Sequence, residues 1–413
     1  MRDFDVVVYG ASGFAGALVA EHLAGHAPAG VRVALAGRSG ERLAAVRDRL
    51  RDRHGVEWPI VVADAADERA LADLAASTRV VATTVGPYAK YGKALVAACA
   101  AAGTDYVDLA GEVLFVRQSI DAHHETARRT GARIVHSCGF DSVPSDLGVH
   151  VLHAAVAEAG AGQLTGTTLV VTRLKGTASG GTIDTMRHQI DTVRRDRDAR
   201  RVAASPYSLT PDRAAEPDLG RQPDLVTVPA REVSPELRGT LAPFFMASYN
   251  TRIVRRSNAL RDYAYGRQFR YRETVSTGTS PLSPVLAQGV KLGITGLFAG
   301  LALAPARVVL DRILPKPGDG PSESTRRAGH FTMDIFTTTT TGRRFQSRFR
   351  MTGDPGYAAT AVLMGESALA LALDRDALPP GEGGVLTPST GIGDALVARL
   401  RKQGVEITAA ESR

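Results

Sequence analysis

Phe4-Asp-Val-Val-Val-Tyr-Gly10-Ala-Ser-Gly13-Phe-Ala-Gly16 stands near the start of the chain, and its reading decides the fold. An apolar strand runs into three glycines spaced G-x-x-G-x-x-G, and a helical pattern carrying Leu18, Val19 and Leu23 follows. A second apolar strand, Val31 to Ala36, completes a βαβ unit. In such a unit Gly10 permits the tight turn, Gly13 lets a pyrophosphate approach the backbone, and Gly16 lets the helix pack close. Gly10, Ala11, Ser12, Gly13, Phe14 and Gly16 are therefore read as a phosphate cradle; a structural turn in an unrelated α/β domain is the alternative.

The segment after the second strand, Ala36-Gly-Arg38-Ser39, lies where an NAD-preferring domain carries an acidic residue for the ribose hydroxyls. A guanidinium and a hydroxyl there favour a 2′-phosphate, so the expected cofactor is NADPH. On the competing reading Arg38 is a solvated helix-start residue and Ser39 an N-cap. Asp64, ending the strand from Pro59, sits where the adenine is often touched, or caps the next helix. Arg79 to Tyr88 reads as a fourth strand whose end, Thr84, Val85, Gly86 and Pro87, lines the crevice near the nicotinamide ribose. Helix Lys93 to Ala102, strand Tyr106 to Leu109, helix Phe115 to Thr130 and strand Arg133 to Cys138 continue the alternation. Alternating βα units predict a doubly wound parallel sheet. Elbows at Asp108 to Glu112 and Cys138 to Asp146 lie at strand ends, with Ser145 or Asp146 read as a cap.

Past about residue 160 the rhythm changes to an α+β pattern with a mainly antiparallel sheet. Leu164 to Leu174 and Tyr263 to Val275 read as strands, and His330 to Thr337 with Phe345 to Met351 as a hairpin turning near Gly342. A helix opening at Ser179 becomes highly charged through Arg194 to Arg201, read as a solvated face. The proline-rich stretch 205–240 reads as an irregular loop able to cover a site. From Leu292 to Ala306 there are 15 uncharged residues, about 22 Å of helix and short of a bilayer. For the wider apolar stretch 282–314 a buried helix pair or dimer contact, an interfacial membrane contact and a lipid-binding tunnel all stay open. Pro315 to Ser324 reads as a polar linker. Helices Ala358 to Leu373 and Thr390 to Gln403 are expected to pack back on the first domain. The chain is thus divided into a Rossmann domain, 1–150 with 354–413 returning to it, and a substrate or lipid-binding domain, 151–353.

The 413 residues are 44% hydrophobic and 23% charged, with a net charge of +7. These values exclude disordered and fibrous classes. Arginines are scattered apart from one run, so nucleic acid is not an expected partner. Cys99 and Cys138 form no C-x-x-C, and His22 and His26 are read as a surface helix face, so neither a disulfide framework nor a metal is expected. No secretion signal is read at the N-terminus, which places the protein in the cytoplasm, with the inner membrane face as a peripheral site.

Together with Gly10 to Gly16 and Ala36 to Ser39, five further stretches carry a resemblance. They are Val85-Gly-Pro-Tyr-Ala-Lys-Tyr-Gly92, Tyr106 to Glu112, Gly139-Phe-Asp-Ser-Val-Pro-Ser-Asp146, Ser179-Gly-Gly-Thr182 and Gly384 to Thr390. The chain resembles the saccharopine dehydrogenase-like reductases and, within them, the bacterial trans-acting enoyl reductases. That resemblance implies an NAD(P)H-dependent reductase acting beside a polyketide synthase that makes long-chain lipids, with an acyl thioester, on an acyl carrier, as substrate. The implied chemistry adds a hydride to the β-carbon of an enoyl thioester and a proton to the α-carbon. Tyr88 is the first candidate donor, followed by Lys90, Tyr91, Asp141 and Ser142. An imine or amino-acid reductase and a non-catalytic NADPH-sensing docking protein are the competing readings.

Overall fold

The computed structural model describes residues 2–176, 180–303, 305–307, 310 and 320–412. Ser179, parts of the apolar stretch beyond residue 303 and the first half of the linker expected from Pro315 lie outside them.

The first sheet is built as its apolar strands demand. Strands β1 (Phe4–Tyr9), β2 (Val33–Gly37), β3 (Ile60–Val62), β4 (Thr78–Thr83), β5 (Asp105–Asp108) and β6 (Arg133–Val135) lie parallel in the order 6-5-4-1-2-3. This is the doubly wound order in which the strand sequence reverses beside β1, leaving a crevice at the carboxyl ends. Helices α1 (Phe14–His26), α2 (Gly40–His54), α3 (Glu68–Ser77), α4 (Tyr88–Tyr91), α5 (Lys93–Ala102) and α6 (Val113–Thr130) connect the strands. The fourth strand is shorter than its apolar run because Gly86 and Pro87 turn the chain into α4.

Helix α7 (Val143–Glu158) links the two layers and is buried along most of its length. Ser142 is its N-cap residue, so the expected cap at Ser145 or Asp146 is corrected. Asp146 lies inside the helix, accepting from the Ser257 hydroxyl and from the Ser389 N–H at 2.7 Å.

The second sheet contains seven strands. It joins β7 (Leu164–Lys175), β8 (Val228–Pro229), β9 (Thr240–Pro243), β10 (Arg270–Ser276), β11 (His330–Thr339), β12 (Arg344–Thr352) and β14 (Glu406–Glu411) in the order 14-12-11-7-10-9-8. Among the described residues of this sheet only β7 and β10 pair in parallel, and the hairpin turns at Gly342, whose φ is +82°. The strand expected from Tyr263 starts at Arg270, since Asp262 and Tyr263 adopt left-handed turn conformations.

Between β7 and β10 lie helices α8 (Gly180–Arg195), α9 (Arg197–Ala204), α10 (Ala230–Val233) and α11 (Ala247–Leu260). The charged helix breaks at Asp196, whose side chain accepts from the Asp198 and Ala199 N–H groups to cap α9. Residues 205–240 do not line either cavity described below. They are fastened to α11 by the Arg252–Asp224 pair at 2.7 Å and by Arg255 donating to the Pro206 carbonyl at 3.2 Å.

The C-terminal segment returns to both layers. Helix Thr360–Leu373 covers β1, β4 and β5 and packs on α1, while β13 (Gly384–Leu386) pairs parallel to β6 at the edge of the first sheet. The expectation that all of 354–413 returns as helices to the first domain is corrected, because β14 joins the second sheet beside β12. The last helix begins at Asp394, after Gly393 at φ +57° breaks the stripe. His22 is also not a surface residue: it is buried, and its Nε2 lies 2.9 Å from the Glu366 carboxylate of the covering helix.

Candidate functional site

The glycine turn is held by close contacts that side chains would obstruct. Gly10 has φ +87°, and a Cβ on Gly16 would lie 2.2 Å from the Gly10 carbonyl oxygen. A Cβ on Gly13 would meet only that oxygen, at 3.3 Å. Thr84 closes the turn from the side, its hydroxyl 3.4 Å from the Gly10 carbonyl. The turn thus presents bare backbone at the N-terminus of α1, as a phosphate requires.

Two cavities meet over this turn. One, of about 290 Å³, is lined by Gly10, Ser12, Gly13, Arg38, Arg42, Asp64, Thr84, Val85 and Gly86. The other, of about 460 Å³, shares Gly13, Thr84 and Gly86 with it and also takes in Phe14 and Pro87. Gly16 packs behind the turn, and neither Ala11 nor Ser39 lines either cavity.

Arg38 is exposed at the groove, and Arg42 stands beside it, donating to the Ser12 carbonyl at 3.3 Å. Ser39 is the N-cap of α2, receiving the Arg42 N–H. Asp64 accepts the Ala66 N–H at 2.9 Å, while the α3 cap is Asp67. Arg42 was missed in the sequence because it sits in an ordinary charged helix; one turn past Ser39, it brings a second guanidinium to the groove. The glycine cradle and this pair fit a dinucleotide bearing a 2′-phosphate.

The larger cavity lies between the carboxyl ends of the first sheet, α8 and α11. Phe140, Met186, Phe245 and Phe298 give it an apolar wall. Its charged lining residues, among those described, are Asp141 and Asp184. Desolvation pushes the Asp141 carboxyl up to about 6, with the Asp108 charge adding to the shift.

Tyr88 lines the cavity, but its hydroxyl faces inward, donating to the Thr83 carbonyl at 3.2 Å and accepting the Leu109 N–H at 3.1 Å. Burial raises this phenol well above its ordinary pKa. The sequence-based expectation of Tyr88 as proton donor therefore meets a hydroxyl already committed at both ends. Tyr88→Phe is expected to lower stability by about 1–3 kcal/mol, because the Leu109 N–H is left unpaired, while turnover changes less than about tenfold. Denaturant unfolding and steady-state kinetics on one preparation check this, and a turnover collapse without destabilisation would restore Tyr88 as donor.

Lys90 lines neither cavity; it is exposed, with its ammonium 4.9 Å from the Tyr91 ring centroid. Tyr91 reaches the smaller groove, and Ser142 is buried, donating to the Asn250 amide oxygen at 3.0 Å.

Behind the cavity, the Asp108–Glu112 elbow expected from the sequence is joined in a supporting shell by Thr185 and Tyr249, which no local pattern marks. Glu112 is buried and accepts the Tyr88 and Ala89 N–H groups at 2.7 and 2.8 Å, fixing the start of α4. Thr185 of α8 donates to the same carboxylate at 3.3 Å, which ties the second layer to the elbow. Asp108 accepts the Ala110 and Ser137 N–H groups and lies 2.7 Å from the His136 Nδ1, pinning two strand ends. Tyr249 of α11 lines the cavity and pairs with the Ser137 hydroxyl. Among the described residues no cluster of His, Cys, Asp and Glu could hold a metal ion.

The model of the saccharopine dehydrogenase NADP binding domain matches residues 6–135. The trans-acting enoyl reductase of Mycobacterium bovis is 50% identical over 414 residues, covering 98% of this chain and 97% of its own. That of Mycobacterium ulcerans is 50% identical over 417 residues, covering 99% and 98%. A Mycobacterium tuberculosis protein to which the same activity is provisionally ascribed is 53% identical over 410 residues, covering 98% and 97%. Among solved structures, apo saccharopine dehydrogenase (L-Glu forming) from Saccharomyces cerevisiae superposes with a TM-score of 0.53 over 99% of both chains, at 13% identity. That similarity is one of fold.

Proposed function

The chain belongs to the saccharopine dehydrogenase-like family and, within it, to the trans-acting enoyl reductases, and on that premise we propose that it reduces the α,β double bond of an enoyl thioester. The thioester is carried by a separate synthase, on its acyl carrier. The observation that carries this reading is the join of a basic groove to an apolar cavity across the glycine turn.

Arg38 and Arg42 would hold the 2′-phosphate of the cofactor, the backbone at Gly10 to Gly13 its pyrophosphate, and Thr84 to Pro87 its nicotinamide ribose. NADPH, when bound, supplies the hydride that adds to the β-carbon. The apolar wall around Phe140 and Phe298 seats the acyl chain and excludes water. Asp141 holds the proton delivered to the α-carbon as the enolate electrons close onto it, and is reprotonated from solvent. A desolvated carboxyl is suited to carrying a proton near neutrality. No arginine or lysine lines the cavity among the described residues, which disfavours an amino-acid substrate whose carboxylate needs a cation. The same reading assigns cofactor binding to 1–150 with the returning helices, and seats the substrate between that unit, through Phe140 and Asp141, and 151–353, through α8, α11 and Phe298.

Following NADPH absorbance with free and carrier-bound enoyl thioesters tests the reaction. Oxidation is expected with long-chain enoyl thioesters, and turnover only of 2-oxo acids with amino acids would overturn the assignment. The acid role has its own signature. Since the protonated carboxyl is the active form, turnover is expected to fall as pH rises through and above about 6. Asp141→Asn is expected to lose at least about tenfold in kcat and to remove that limb. An unchanged pH profile in the variant would exclude Asp141.

A further inference from the structure

Helix α12 (Ser283–Ala302) is 20 residues long, with a mean hydropathy of 1.5 and only 11% of its apolar window buried. The alternative of a buried helix pair is thereby corrected. Its outward face carries Leu282, Val285, Leu286 and Leu292, exposed at 65, 69, 50 and 70%. Added Cβ atoms on Gly289, Gly293 and Gly296 would meet nothing within 4 Å. Monomeric proteins seldom expose so continuous an apolar strip unless something covers it.

Length and composition would let the helix cross a bilayer, but its attachments show that it lies along the protein. Ser283 accepts the Thr240 N–H at 2.8 Å, Ala287 and Leu301 are buried, and Phe298 reaches the cavity. Anchors at both ends of one face leave the opposite face to lie flat on a surface.

Charge indicates which surface. From Thr274 through Leu310 the sequence contains no Asp or Glu, and its only charges are Lys291 and Arg307. At the helix C-terminus, Arg194 of α8 donates to the Ala302 carbonyl, bringing the exposed Arg195, Arg197 and Arg200 alongside. Nearby acids are engaged: Asp191 pairs with Arg307, Asp198 with Arg201, and Asp196 caps α9. An uncharged face bordered by cations matches a membrane interface, where apolar groups enter the acyl boundary and cations meet anionic headgroups.

We propose that α12 is an interfacial helix that seats the protein on an anionic lipid surface, with the arginines of α8 and α9 beside its C-terminus in contact with the headgroups. Phe298 of α12, with Met186 and Gln189 of α8, borders the cavity, so lipid surface and cavity are joined by one helix. The proposal stands independently of the reaction, because it rests on the outer face of α12 and the arginines beside its C-terminus.

Cosedimentation of the full chain with phosphatidylcholine vesicles, with and without roughly one-third phosphatidylglycerol, tests it. Binding is expected to be at least tenfold tighter to the anionic vesicles and to weaken with salt. The double variant Val285→Glu with Leu292→Glu is expected to lose at least tenfold, with its melting temperature and NADPH affinity retained as evidence of an intact fold. Absence of vesicle binding, equal binding to neutral vesicles, or undiminished binding by the variant would overturn the proposal. So would a dimer, or a complex with an acidic acyl carrier protein, that the variant dissociates while vesicles are not bound.

Discussion

Replacing Arg38 and Arg42 together by glutamate is expected to weaken NADPH binding by at least about a hundredfold while changing NADH affinity only a few-fold. Both guanidiniums border the groove at the end of β2, and no acidic residue occupies the position that would favour ribose hydroxyls. A charge-assisted hydrogen bond contributes about 1.5–3 kcal/mol, so two lost contacts correspond to roughly two or more decades. Introduced carboxylates add repulsion toward a phosphate but offer acceptors to hydroxyls. Fluorescence titration with both cofactors measures the ratio. Equal losses for the two would mean that the arginines act on the shared pyrophosphate, and the preference for NADPH would need another source.

The second large effect is expected at the glycine turn, where two neighbouring alanine substitutions should behave differently. Gly16→Ala places a methyl 2.2 Å from the Gly10 carbonyl oxygen and 2.8 Å from the Thr84 hydroxyl, so the turn must move. Overpacking of this kind costs about 1–3 kcal/mol, and both melting temperature and cofactor affinity should fall. Gly13→Ala meets one oxygen at 3.3 Å, a contact relieved by a shift of a few tenths of an ångström. Its stability should be nearly unchanged, yet a methyl at a position bordering both cavities should cost at least about tenfold in NADPH affinity. Thermal unfolding and titration of the two variants separate these effects. Comparable melting temperatures would show that the turn yields more readily than its packing implies.

The first sheet was legible because its strands are apolar runs punctuated by glycine and proline, and each βα alternation restates the same architecture. Helix α11 was not, for a physical reason. Asn250, Thr251, Arg252, Arg255, Arg256, Ser257 and Asn258 are all buried there, so polar residues occupy the face that periodicity assigns to solvent. Their partners are distant carbonyls and carboxylates, such as the Tyr271 carbonyl 2.9 Å from Arg255, which no local pattern announces. The glycine turn and Arg38 could be read because cofactor chemistry dictates residue type at fixed spacing. Tyr249 and Arg42 could not, since their roles follow from tertiary placement. Tyr88 illustrates the limit in the other direction: its position at the elbow was readable, but the direction of its hydroxyl was not.

The return of the C-terminal segment to the first sheet also has a consequence for biosynthesis. Residues 360–373 cover β1, β4 and β5, and residues 384–386 supply the strand beside β6. A ribosome that has released only the first 150 residues has produced a sheet whose apolar face is uncovered over β4 and β5 and whose β6 edge is unpaired, the condition in which chains adhere to one another. The groove residues, all within 9–91, are complete long before the covering helix emerges. A premature stop before the covering helix is therefore expected to yield an aggregation-prone fragment rather than a half-working enzyme.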